Sequence, residues 1–245
     1  MDHLDTPRGR RLAYHLTPGD SSLDAPAIVF LGGFRSDMEG TKALFLEDWA
    51  REQGRAFLRF DYSGHGSSSG TFEEGAIGDW AEDAAAAIAL LDGPLVLVGS
   101  SMGGWISLLL SRSQPERVAG LVTIAAAPDF TEEMWESFTE AQRTELTEAG
   151  LTHRPSDYGD PYPISRRLIE EGRQHLVMTD PLTLTMPVRM LQGTADADVP
   201  QARALQLLAH AEGPDIRLTL VKGADHRFST PECLRLIVRA VAEAS

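Results

Sequence analysis

A single cysteine, Cys233, stands in the 245 residues of the chain. No intrachain disulfide, Cys-rich zinc cluster or CxxC redox pair can therefore form. Long apolar runs are missing too, since none approaches the roughly 18 residues of a membrane span. The opening segment, MDHLDTPRGRRLAYH, lacks the apolar h-region of a secretory signal peptide. A reducing, cytoplasmic setting is the expectation. Cations are scarce: 22 Lys and Arg face 36 Asp and Glu, for a formal charge of −14. Phosphate backbones demand clustered cations, so no nucleic-acid partner is expected. HExxH, the EF-hand loop, the Walker sequence and a GxGxxG after the first strand are all absent. Neither a metal nor a cofactor is expected.

What is present is the makeup of a globular enzyme-sized domain. The apolar share of 42% and charged share of 24% are ordinary for a packed chain, and the length suits one α/β core with an insertion. Short apolar runs at residues 27–31, 56–60, 95–98, 121–125, 188–192 and 216–221 read as buried strands. Between them, Trp80, Ala84, Ile88 and Leu91 recur at helical spacing, as do Trp105, Ile106, Leu109 and Leu110. Leu234, Ile237, Val238 and Val241 repeat the pattern near the C-terminus. Apolar strands alternating with amphipathic helices predict the α/β class, with a mostly parallel, doubly wound sheet covered on both faces. One stretch interrupts the alternation. Residues 128–186 hold two helix-like pieces, Thr131 to Ala149 and Ile164 to Leu176, joined by HRPSDYGDPYP and without a core-like strand. They are expected to form a helical cap inserted into a core of residues 1–127 and 187–245, on the side where such folds bind ligands.

Gly99-Ser100-Ser101-Met102-Gly103 fits GxSxG, following one predicted strand and opening a helix. That strand-turn-helix setting is a nucleophile elbow, whose glycines sit where side chains would collide. Ser101 is the expected nucleophile, at a helix N-terminus whose free amides favour a developing oxyanion. Ser100 should point elsewhere. A serine hydroxyl needs a base, and the base needs a carboxylate to hold its tautomer. In elbow folds the chain order is Ser, acid, His. His226, in GADHRF after the last strand, supplies the base. Asp196, in QGTADADVP, supplies the acid; Asp198 is the rival, set aside because Val199-Pro200 should open the next helix and give Asp198 a place near its N-terminus.

Two backbone donors complete the reading: Met102, after the nucleophile, and Phe34, in the Gly32-Gly33-Phe34-Arg35 loop. His65, in a glycine-rich turn, reads as structural. His153 and His175 fall in the cap, within potential reach of substrate, whereas His3, His15 and His210 read as surface positions.

Four segments, GGFRSDMEGTKA, RFDYSGHGSSSG, LVGSSMGGW and the pair QGTADADVP and GADHR, make the chain resemble the α/β-hydrolase superfamily over its full length. Within it they are similar to the mitochondrial palmitoyl-protein thioesterases that also cleave acyl glucuronides. The resemblance implies Ser101, Asp196 and His226 as triad and a small helical cap over the acyl site. It implies acyl thioester or ester substrates, small molecules or acylated proteins. The N-terminus departs from it, with no mitochondrial presequence expected. An acyl pocket under Met134, Trp135, Phe138 and Leu168 is the first functional expectation. Lipid esters such as monoacylglycerols, or peptides, are the alternative for the same triad, and a silent binding module is a third.

Overall fold

The computed structural model describes residues 1–154 and 161–245. Among these, the strands are β1 (Asp2–Asp5), β2 (Arg11–Thr17), β3 (Ala27–Leu31), β4 (Phe57–Phe60), β5 (Leu95–Ser100), β6 (Val118–Ile124), β7 (Leu151–Arg154), β8 (Tyr162–Ser165), β9 (Leu182–Thr183), β10 (Val188–Gly193), β11 (Ala211–Glu212) and β12 (Ile216–Val221). The helices are α1 (Thr41–Glu52), α2 (Ile77–Ile88), α3 (Met102–Ser113), α4 (Phe130–Ser137), α5 (Glu140–Ala149), α6 (Arg166–Gly172), α7 (Gln201–His210) and α8 (Pro231–Glu243).

The main sheet runs β1-β2-β4-β3-β5-β6-β10-β12. Its β1–β2 and β2–β4 pairs are antiparallel, and from β4 onward the strands are parallel. Side chains of a strand alternate between faces, and both faces here are apolar. Val29, Leu31, Leu58 and Leu97 pack with Trp80 of α2 and Trp105 of α3. Ile28, Phe30, Val96 and Val98 pack on the other side with Leu46 of α1 and Ile237 of α8. Burial on both faces is why these strands read as unbroken apolar runs.

The register brings strand ends level. Leu31 pairs with Gly99, Ser100 with Ile124 and Gly193 with Val221. Loops leaving β3, β5, β6, β10 and β12 therefore emerge along one carboxyl edge, where open α/β sheets place ligands.

The segment after β6 differs in detail from its sequence reading. The piece from Thr131 to Ala149 is broken into α4 and α5, because Thr139 starts a new helix. Its hydroxyl accepts from the Gln142 N–H at 3.2 Å while the Gln142 amide oxygen accepts from the Thr139 N–H at 3.1 Å. This reciprocal box satisfies two donors that continuing α4 would have used. The piece expected as helix from Ile164 begins instead as β8, paired antiparallel with β7. Ser165 then caps α6, accepting from the Leu168 N–H at 3.1 Å. Residues 155–160 of the expected linking segment lie outside the described residues.

Candidate active site

Ser101 sits between β5 and α3 with φ 53° and ψ −117°, a conformation that costs a non-glycine residue about 1–3 kcal/mol. Its surroundings hold it there. The Ser101 N–H donates to the Ile124 carbonyl at 2.9 Å, and the Ser101 carbonyl accepts from Gly104 and Ala127 at 2.9 and 3.1 Å. The elbow glycines are demanded by space: a Cβ at Gly99 would lie 2.3 Å from the Gly103 carbonyl oxygen, and one at Gly103 2.1 Å from that of Leu31. At Gly104 it would meet the Ala126 side chain at 2.6 Å.

The loop after β3 lies against this turn. A Cβ on Gly33 would stand 3.4 Å from that of Ser101, so Gly33 serves close approach. Arg35, rather than either glycine, takes the left-handed conformation, with φ 56°. Phe34 is half-buried between Phe72, Trp80, Phe130 and Tyr162, at ring-centre distances of 4.8 to 6.0 Å.

On the other side, the Nδ1 atom of His226 is 2.9 Å from Oδ2 of Asp196. The Asp196 side chain is wholly buried. Its Oδ1 accepts the N–H groups of Asp198 and Val199 at 2.9 and 2.8 Å, and its Oδ2 also accepts from the Gln192 amide at 3.1 Å. Burial favours the neutral acid, but the bonds from His226 and Val199, with that of Gln192, outweigh it and hold the carboxyl below its ordinary range. Asp198 is exposed and borders the cavity.

These parts face one cavity of about 500 Å³ bordered by Gly33, Phe34, Ser101, Met102 and His226. Ser100, expected to point away, borders it as well; it is buried at the end of β5 with its carbonyl toward Gly33. Of the four apolar residues expected above the pocket, Met134 borders it. Phe138 and Leu168 are instead buried in the core cluster, and Trp135 is flanked by the guanidinium groups of Arg143 and Arg173 at 5.3 and 5.4 Å.

The cavity wall carries charge that sequence reading missed: Arg35, Lys42, Arg154, Arg203 and Arg227 against Glu133 and Asp198. Arg203 pairs with Glu133. Burial pushes Lys42 down to about 8, against the pull of Asp225. No pattern along the chain announces this cluster, because its members are scattered from residue 35 to residue 227.

Other histidines have local partners. His65 is buried, with Nδ1 3.1 Å from the Ser63 carbonyl. His175 lies 2.6 Å from Glu171 Oε1, and His153 is exposed on β7; neither is among the residues bordering the cavity. His3 is exposed as expected. His15 and His210 are half-buried rather than surface residues: His15 Nδ1 approaches Glu47 at 2.6 Å, and His210 Nε2 approaches the Val177 and Asp180 carbonyls.

Among the described residues, Asp196, Asp198 and His226 present ligand atoms within 4.8 Å of one another. Two of the three are already hydrogen-bonded to each other.

Comparison with known proteins gives the family. Residues 28–235 match the alpha/beta hydrolase family. The mitochondrial palmitoyl-protein thioesterase ABHD10 of Rattus norvegicus is 35% identical over 241 residues, covering 97% of this chain and 80% of the rat protein. Its Homo sapiens counterpart is 34% identical over 98% of this chain and 78% of its own length. A crystal structure from Agrobacterium vitis S4 superposes with a TM-score of 0.94 at 39% identity, covering 99% and 96% of the two chains. Mouse alpha/beta hydrolase domain-containing protein 10 does so with 0.90 at 33%, covering 99% and 96%. These relatives correct the cytoplasmic expectation, since five relatives matched over 93–98% of this chain are named mitochondrial. That expectation rested largely on a missing apolar h-region, a feature of secretory signals and not of the amphipathic, Arg-rich mitochondrial kind. By fold and by sequence, the chain belongs to the alpha/beta hydrolase family and is a hydrolase.

Proposed function

We propose that the chain cleaves acyl thioesters and activated carboxylic esters through an acyl-enzyme formed on Ser101. The observation that carries this is the 2.9 Å contact of His226 Nδ1 with buried Asp196, facing the same cavity as the strained Ser101. With Nδ1 committed to the carboxylate, Nε2 is left to take the hydroxyl proton. The Ser101 Oγ attacks the acyl carbon, and the backbone N–H groups of Phe34 and Met102 receive the oxyanion. The collapsing intermediate expels the thiol or alcohol, which leaves with the proton from His226. Water, activated by the same imidazole, then releases the acid and restores the hydroxyl.

Residues 128–186 act in this proposal as a cap, since Phe130, Met134, Ser137, Arg154 and Tyr162 from that segment border the cavity. Relatives named as palmitoyl-protein thioesterases support thioester substrates. The charged wall supports a leaving group with anionic character, such as the phosphates of acyl-CoA or the carboxylate of an acyl glucuronide.

The test is a panel of thioesters and oxyesters carrying one acyl chain, run beside fluorophosphonate labelling. Labelling of the native chain, lost in Ser101→Ala, is the expected result. A folded native chain that takes no label would leave only a non-catalytic binding fold. Preference for monoacylglycerols or peptides across the panel would move the substrate class while keeping the triad.

A further inference from the structure

The chain holds its positive charge almost entirely on arginine, and lysine occurs at just two positions, 42 and 222. Lys42 is the second residue of α1, directly beyond the loop that carries Phe34. Its Nζ donates to the Arg227 carbonyl at 2.6 Å, on the residue after His226. Both Lys42 and Arg227 border the cavity shared by Ser101 and His226.

Three hydrogen bonds tie the loop from β12 to α8 to the β10 side, while Phe228 is buried in the core cluster with Ile28, Phe30 and Leu46. The Gly223 N–H donates to Thr194 Oγ1 at 2.9 Å, the Ala195 N–H to the Ala224 carbonyl at 3.0 Å, and Asp196 accepts from His226. Beyond the imidazole the backbone turns through Phe228 at φ 50°. Lys42 reaches this turn from α1, which follows β3, and β3 is separated from β10 in the sheet by β5 and β6. The imidazole thus has one strut at its ring and a second at the carbonyl of the next residue, rooted on opposite sides of the nucleophile. Ammonium groups resist desolvation, so a half-buried one calls for a partner; the Arg227 oxygen is that partner.

The geometry points to Lys42 as a positioning residue that fixes the His226 loop over Ser101 by gripping the Arg227 carbonyl. This rests on the triad reading above. Lys42→Met keeps the length and loses the donor; Lys42→Arg restores donors.

The rate of fluorophosphonate labelling at Ser101, the kcat and KM for a p-nitrophenyl ester, and the melting temperature are measured for all three proteins. Losing the strut should lower labelling rate and kcat about tenfold in Lys42→Met, as misplacement of a catalytic group does. KM should stay within about twofold, and Lys42→Arg should recover most of the rate. A Met variant that labels and turns over like the native chain would overturn the proposal. So would a loss confined to KM, or an Arg variant no better than Met. Should Lys42→Met fail to fold, Lys42→Gln, too short to reach Arg227, takes its place with the same expectations. A native chain without label would sink the triad reading, and this proposal with it, whereas a labelled native chain with an indifferent Met variant sinks this proposal alone.

Discussion

His226 Nδ1 lies 2.9 Å from Asp196 Oδ2, while Asp198, two residues on, gives its backbone N–H to the same Asp196 carboxylate. The nearer acid is therefore built in and the farther one helps to hold it. Asp196→Asn should lower kcat by about 10⁴-fold with little change in fold, as loss of the tautomer-setting acid does. Asp198→Asn should stay within about threefold, as a rim carboxylate in water does. Steady-state kinetics on one ester decide it, and a larger loss at Asp198 would reverse the assignment.

Gln192 is buried at the end of β10, and its amide donates to Asp196 Oδ2 at 3.1 Å and to the Val199 carbonyl at 2.9 Å. Gln192→Leu keeps the volume and removes both donors. Hydrogen bonds to charged groups contribute about 1.5–3 kcal/mol, so kcat should drop at least about tenfold and urea midpoints should fall. A stable Leu variant with native kcat would show that Asp196 needs no help from this side.

Gly103→Ala places a methyl 2.1 Å from the Leu31 carbonyl oxygen, on backbone that cannot swing aside. Overpacking of this kind costs about 3 kcal/mol or more, which for a chain of this size lowers the melting temperature by about 6–12 °C. Calorimetry of the purified variant is the check, and an unchanged melt would mean that the elbow is softer than its contacts indicate.

Burial holds the His65 imidazole down to about 4, against its bond to the Ser63 carbonyl and with the help of Arg35, whereas the ordinary value is 6.5. Between these values the unfolded chain binds a proton that the folded chain refuses. Stability from this group is thus complete above 6.5 and shrinks as pH falls through the window, by about 3 kcal/mol in all. His65→Phe, in a ring cluster with Tyr62, Phe72 and Trp80, should flatten that slope; the Ser63 carbonyl keeps its bond from Trp80 Nε1. Melting temperatures of both proteins from pH 7 to pH 4.5 test this, and parallel curves would count against it.

The central strands were legible because burial on both faces leaves continuous apolar runs, as in Ala27–Leu31 and Leu95–Ser100; Ile216–Val221, expected as a buried strand too, lies at the sheet margin, where none of its residues is buried. The antiparallel strand Arg11–Thr17 was not, since three of its inner positions are half-exposed and its pattern blurs. The split at Thr139 had a readable signal in Thr-x-x-Gln, a capping box inside an otherwise helical run. For the site, GxSxG and chain order singled out Ser101 and His226, which border one cavity, and Asp196, which lies behind His226. Lys42 and Gln192 carried no such mark: each acts through a backbone or side-chain partner that only folding brings near.

On the proposed triad, Ser101 depends on loops rooted at the level ends of separate strands, from Gly33 beside β3 to His226 beyond β12. Opening β12 at its margin, by a protease or by fraying, would withdraw the imidazole and silence a serine whose own neighbourhood stayed intact. Turnover by this chain is in that sense a gauge of the whole sheet, and loss of activity during heating or storage should precede any bulk loss of helix.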